Sequence, residues 1–222
     1  MVLSYDGSAL CETAFLAWHF SLECENTAAS AKLAKPTPLQ SSLTYQVFCM
    51  PNPSDPTCFD PDCRACPRLA HFLDEVRAQH PDYHARPVAP FGDAAPSLLI
   101  VGLAPGMHGA NRSGRPFTGD HAGILLYQTL HRFGYASAPQ SVAADDGLQL
   151  IGCRITNAVK CLPPANKPEP AEIRQCNRFL AAELAGLPGH ASILALGQIA
   201  HQAVLRALGL KLKDYPFNHA SD

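Results

Sequence analysis

The sequence predicts an α/β domain of three layers, with helices on both faces of a small, mostly parallel central sheet. Two observations carry that expectation: short apolar runs at 97–102, 149–159 and 192–196, and an amphipathic segment after each of them. Apolar runs of this length fit strands buried on both faces, and strand then helix, three times over, is the pattern of a layered α/β fold.

The three helical segments are 121–134, 170–186 and 198–208. Asp120 is placed to cap the first and Pro170 to open the second, while Gly134 and Gly209 stand where the first and third should stop. In the first, Ile124, Leu125, Thr129 and Phe133 fall on or near one face. Further upstream, a Cys-rich turn beginning at Cys58 runs into a segment with Leu69, Phe72, Leu73 and Val76 at helical spacing. Three strands are few for a chain of 222 residues. Either the N-terminal region supplies another strand, or an element is missing. Residues 1–50 show neither sustained periodicity nor a motif and stay unassigned; residues 51–222 are read as the domain.

Composition narrows the function classes. With 47% hydrophobic and 16% charged residues the chain reads as one globular domain. Its formal charge of −2 supplies no basic coat, so any nucleic-acid contact must be local. No stretch approaches the roughly 20 apolar residues of a membrane helix, and residues 1–8 lack the basic start of a secretory signal, so a cytoplasmic, membrane-free protein is expected. Nine cysteines, an odd number, suit metal or redox chemistry better than a disulfide framework.

Among those cysteines, Cys63 and Cys66 form a close pair, and Cys161 and Cys176 a second, wider one. If the fold unites the pairs, four thiolates surround one centre, and spacing alone leaves iron–sulfur and zinc equally open. Cys11, Cys24, Cys49 and Cys153 are read as structural, with Cys58 an outside candidate ligand.

The loop 102–120, GLAPGMHGANRSGRPFTGD, holds five glycines in nineteen residues, so a ligand can approach its backbone closely. A nucleoside-triphosphate loop is rejected because Arg115-Pro116 stands where that motif needs Lys and Ser/Thr. Phe117 can stack on a planar group, Asp120 is the loop's one carboxylate, and His108, Arg112 and Arg115 can meet phosphate. That combination suits a nucleobase. In the second loop, Asn157 offers an amide matching the alternating edge of a pyrimidine. Lys160 and Lys167 follow it among prolines that fix their placement.

With both loops and four cysteines together, the chain resembles the iron–sulfur uracil-DNA glycosylases, specifically family 5, a relative of family 4. GLAPGMHGANRSGRPFTGD is close to that family's first motif and ITNAVKCLPPANKPEP at 155–170 to its second. The resemblance implies a [4Fe-4S] cluster on Cys63, Cys66, Cys161 and Cys176. It also implies that Phe117 stacks on a flipped uracil, Asn157 reads its edge, and Asp120 positions a water or steadies the sugar cation. Gly102, Ala104, Pro105, Gly106 and His108 would line the substrate, and Arg112, Arg115, Lys160 and Lys167 would hold DNA. The implied protein is a monomeric, nucleoid-associated repair enzyme acting on uracil-containing DNA.

The family's third motif, a His-bearing loop after a final strand, is not found before Asp222, and His219 lacks its context. The expectation is therefore a C-terminally incomplete domain with its final strand missing, an unpaired sheet edge, and activity lowered about 100- to 1000-fold. A catalytically silent DNA binder is the alternative, and a small electron-transfer or zinc protein a more distant one.

Overall fold

The computed structural model describes residues 2–4 and 58–218. The remainder of the unassigned N-terminal segment, with Cys11, Cys24 and Cys49, lies outside the described residues, as does His219.

Three parallel strands form the centre of the sheet: β3 (Leu98–Gly102), β4 (Cys153–Asn157) and β5 (Ser192–Ala195). Antiparallel edges flank them, β1 (Val2–Ser4) on β5 and β2 (Phe91–Gly92) on β4, giving the order β1-β5-β3-β4-β2. The expected unpaired edge is thus not found, because Val2–Ser4 from the N-terminal region pairs with Ser192–Leu194 of β5. This is the first of the two alternatives that the shortage of strands left open.

Alternation along β3 builds the two faces. Leu99 and Val101 point into one core and Ile100 into the other, all fully buried, as a period of two requires. The first core is closed by α1 (Pro67–Gln79), α4 (Pro170–Ala185) and α5 (Gln198–Ala207). The second is closed by α3 (His121–Arg132) and the 135–150 connection, and a short helix α2 (Ala110–Ser113) lies within the loop after β3. Leu69, Leu73 and Val76 bury the predicted face of α1.

The face of α3 differs from expectation. Gly123, Tyr127 and Leu130 are buried, while Ile124, Leu125 and Phe133 are more than half exposed. The Tyr127 hydroxyl donates to Pro116 O at 2.8 Å beneath the loop, and that anchor turns the aliphatic residues outward. Burial pushes this phenol up to about 12. Gly123 is needed there for space, since a Cβ would lie 1.8 Å from Phe117 O.

Candidate active site and cysteine cage

Both loops singled out from sequence emerge at the carboxyl ends of β3 and β4, where ligands sit in sheets of this kind. Gly102 ends β3 directly opposite Asn157 at the end of β4. The strands stay zipped past that point, with Ala158 N–H donating to Gly102 O at 2.9 Å and Val159 N–H to Leu103 O at 3.0 Å. A Cβ on Gly102 would lie 2.4 Å from Asn157 Oδ1 and 2.7 Å from the Phe117 ring. An amide and a phenyl ring therefore converge on one Cα, and only glycine leaves room for both. Asn157 is buried, and among the described residues its carboxamide has no hydrogen-bond partner, which leaves its acceptor and donors for a guest.

Phe117 adopts φ +55°, a left-handed conformation that costs a bulky residue about 1 kcal/mol or more. Its neighbours hold it there. Pro116 O accepts the Tyr127 hydroxyl, Thr118 Oγ1 bonds Ser141 Oγ at 2.7 Å, and Ser113 Oγ donates to Thr118 O at 3.2 Å. Asp120 caps α3 as expected, with Oδ1 accepting Gly123 N–H at 2.7 Å. Its Oδ2 lies over Gly109, where an added Cβ would be 2.8 Å away. One carboxylate oxygen is thus fixed by the helix terminus and the other faces the glycine loop. His108 is exposed, with its Nδ1 2.8 Å from Tyr83 Oη; sequence gave no sign of this partner, which stands in a connection without periodicity. Pro105 is buried in the same loop, and Ala104 and Gly106 are partly exposed.

Two expected DNA contacts are corrected. Arg115 is buried, its guanidinium 2.7 Å from Asp146 Oδ1, bonded also to Ser141 Oγ and Ala144 O, and stacked 4.4 Å from the centre of the Phe91 ring. Burial works to raise the Asp146 carboxyl, but Arg115 and the backbone N–H groups of Leu148, Val142 and Ala143 outweigh it and hold the group well below the usual carboxylate range. Lys160 is likewise buried, its ammonium bonded to Thr156 Oγ1 and, at 2.5 Å, to Glu183 Oε1. Neither cation can reach a phosphate. Arg112 and Lys167 are exposed, as a phosphate contact requires.

The four cysteines meet. Cys63, Cys66, Cys161 and Cys176 line one cavity between α1, α4 and the loop after β4. The bidentate pair Arg68–Glu172, at 2.8 and 2.7 Å, ties α1 to the first turn of α4 and so brings the two pairs together. Lys160 N–H donates to Cys176 Sγ at 3.3 Å, and Arg178, which sequence gave no reason to single out, donates to Cys63 Sγ at 3.7 Å. Burial, then the neighbouring Cys176, pushes the Cys66 thiol up to about 11; burial and the other three sulfurs raise Cys161 further. Cys58 is disulfide-bonded, which removes it as a ligand, and Cys153 is a buried strand residue as expected. Among the described residues, no group of three or more His, Cys, Asp or Glu is disposed to hold a metal ion.

The family described as the uracil DNA glycosylase superfamily matches residues 89–221. A Type-5 uracil-DNA glycosylase of Thermus thermophilus is 48% identical over 164 residues, 72% of this chain and 74% of that protein. One from Mycobacterium bovis is 48% identical over 155 residues, 66% of this chain, and the chain spans only 58% of that relative's length. A Type-4 uracil-DNA glycosylase of Pyrobaculum aerophilum is 34% identical over 128 residues, 57% of each chain.

Proposed function

The chain belongs to the uracil DNA glycosylase superfamily, and from that premise we propose that it excises uracil from DNA by hydrolysing the N-glycosidic bond, leaving an abasic site. The observation that carries the reading is the convergence of Phe117 and Asn157 on the bare Cα of Gly102. A planar base flipped out of the helix stacks on the ring, and its alternating edge meets the unpaired amide of Asn157. As the bond breaks, negative charge grows on the base and positive charge on the sugar. The Asn157 amide N–H stabilises the first, while Asp120 Oδ2, steadied through Oδ1 by the α3 N-terminus, faces the second or orients the attacking water. Arg112 and Lys167 hold flanking phosphates. The enzyme acts as a single chain in the cytoplasm; no described helix is long and apolar enough to cross a membrane.

Cys63, Cys66, Cys161 and Cys176 would hold a [4Fe-4S] cluster. The donor set fits: four thiols on one cavity, with N–H donors from Lys160 and Arg178 already directed at two of the sulfurs. The cluster would supply a clip joining the turn before α1, the loop after β4 and α4.

The test is cleavage of a labelled oligonucleotide bearing one uracil, followed by alkali to break abasic sites. Strand scission is expected. Binding of the same strand without scission would replace this reading by that of a silent DNA binder.

A further inference from the structure

A pocket of about 110 Å³ adjoins the cysteine cage, sharing Cys63, Ala70 and Pro87 with it, and three arginines wall it: Arg64, Arg77 and Arg86. Their carboxylate partners do not use up their donors. Asp74 engages Arg64 through both terminal nitrogens, at 3.1 and 2.5 Å, but meets Arg77 only at 3.5 Å. Arg77 donates to Ala85 O at 2.7 Å. Arg86 approaches Asp62 at 3.5 Å, makes no hydrogen bond among the described residues, and is half exposed. Three guanidinium groups against Asp62 and Asp74 leave one positive charge, on a chain whose overall charge is −2. A planar fork of unspent donors matches the two free oxygens of a phosphodiester.

One wall of the pocket is tied to the glycine loop. His84 N–H donates to Arg112 O at 3.0 Å and Ala85 N–H to Asn111 O at 3.1 Å, so residues 84–86 run beside the glycine loop. Arg86 is two residues beyond His84, at most about 7 Å of extended chain. A phosphate recurs every ~3.4 Å of axis along each strand, so a strand held at Arg112 can run on toward Arg86.

We infer that the pocket walled by Arg64, Arg77 and Arg86 binds a backbone phosphate of DNA flanking the excised base. Arg86 is the principal donor, and Asp62 holds it in place at some cost in affinity. This inference rests on the reading of the chain as a DNA glycosylase. It assigns the local cationic surface to residues other than the buried Arg115 and Lys160.

The experiment measures binding of the intact chain to a fluorescein-labelled duplex, with and without one uracil, across a salt series. Arg86→Gln should lower the slope of log affinity against log salt by about 0.9, the release expected for one phosphate contact, equally on both duplexes. Arg86→Lys should restore the slope. Asp62→Asn should tighten binding about two- to fivefold, the range of an exposed ion pair. An unchanged slope in Arg86→Gln, weaker binding by Asp62→Asn, or a loss confined to the uracil duplex would each overturn the inference. Uracil excision by the unaltered chain is followed in parallel. Its failure with the slope change intact would sink the enzymatic reading alone, and a chain that binds neither duplex would sink both.

Discussion

The base site and the cysteine cage are joined by the loop after β4, which leaves Asn157 and reaches Cys161 four residues on, and they are stabilised in opposite ways. Around Phe117 and Asp120 the loop satisfies itself: Ser113, Tyr127, Ser141 and the α3 cap bond its backbone, and a strained φ is held from both flanks. Around Cys63, Cys66, Cys161 and Cys176 the sulfurs line one cavity, with Cys161 and Cys176 buried and burial raising the Cys66 and Cys161 thiols, and on the proposed reading the cage gains its stability from the group it would hold. A site that must accept and release a base is best preformed, because ordering it on binding would draw on affinity. A structural clip has no such need and can gain its stability from what it binds.

Removing a cage ligand is expected to have the largest effect. Cys161→Ser or Cys176→Ser should abolish bound iron and its visible absorbance, while residues 103–120 keep their own bonds. Iron retained at the unaltered level would show that the ligand set is wrong.

Lys160→Met removes the buried cation beside the cage and leaves the largely buried Glu183 without its partner. It should cost about 3–5 kcal/mol of stability, read by denaturant unfolding. Lys167→Met on the exposed loop should stay within about 0.5 kcal/mol. Equal losses would erase the distinction between the buried and the exposed lysine.

Asp120→Ala should slow excision about 100- to 1000-fold and, through the lost cap, lower stability by about 1 kcal/mol. Undiminished excision would leave Asp120 a helix cap alone.

The smallest effect is the acid response of the Arg115–Asp146 brace behind the loop. The folded carboxyl lies below its unfolded value, so its stabilising contribution is full above about pH 3.9 and is lost as pH falls below that. Asp146→Asn should remove on the order of 2 kcal/mol near neutrality and flatten the fall in unfolding midpoint below pH 4. A variant that loses stability in acid as steeply as the parent would count against the brace.

Much of this was legible in the sequence where local pattern decides structure. The central strands fall within the predicted apolar runs, the helix ends match their Pro, Asp and Gly signals, and the two loops and four cysteines come together as their spacing suggested. What escaped depends on distant partners. Arg115 looked like a phosphate ligand because Asp146 lies 31 residues away, and Lys160 because Glu183 lies 23 away. The face of α3 was misjudged because Tyr127 follows a backbone acceptor, Pro116 O, rather than the apolar count. The edge strands are two and three residues long, too short to show a period.

The central claim is that base recognition depends on the space left by the missing side chain at Gly102. Single-turnover excision of uracil by Gly102→Ala measures this most directly. The added methyl must displace Asn157 or Phe117, so excision should fall about 100-fold while the melting temperature and the affinity for undamaged DNA hold. Excision at the parental rate, with the chain folded, would contradict the claim.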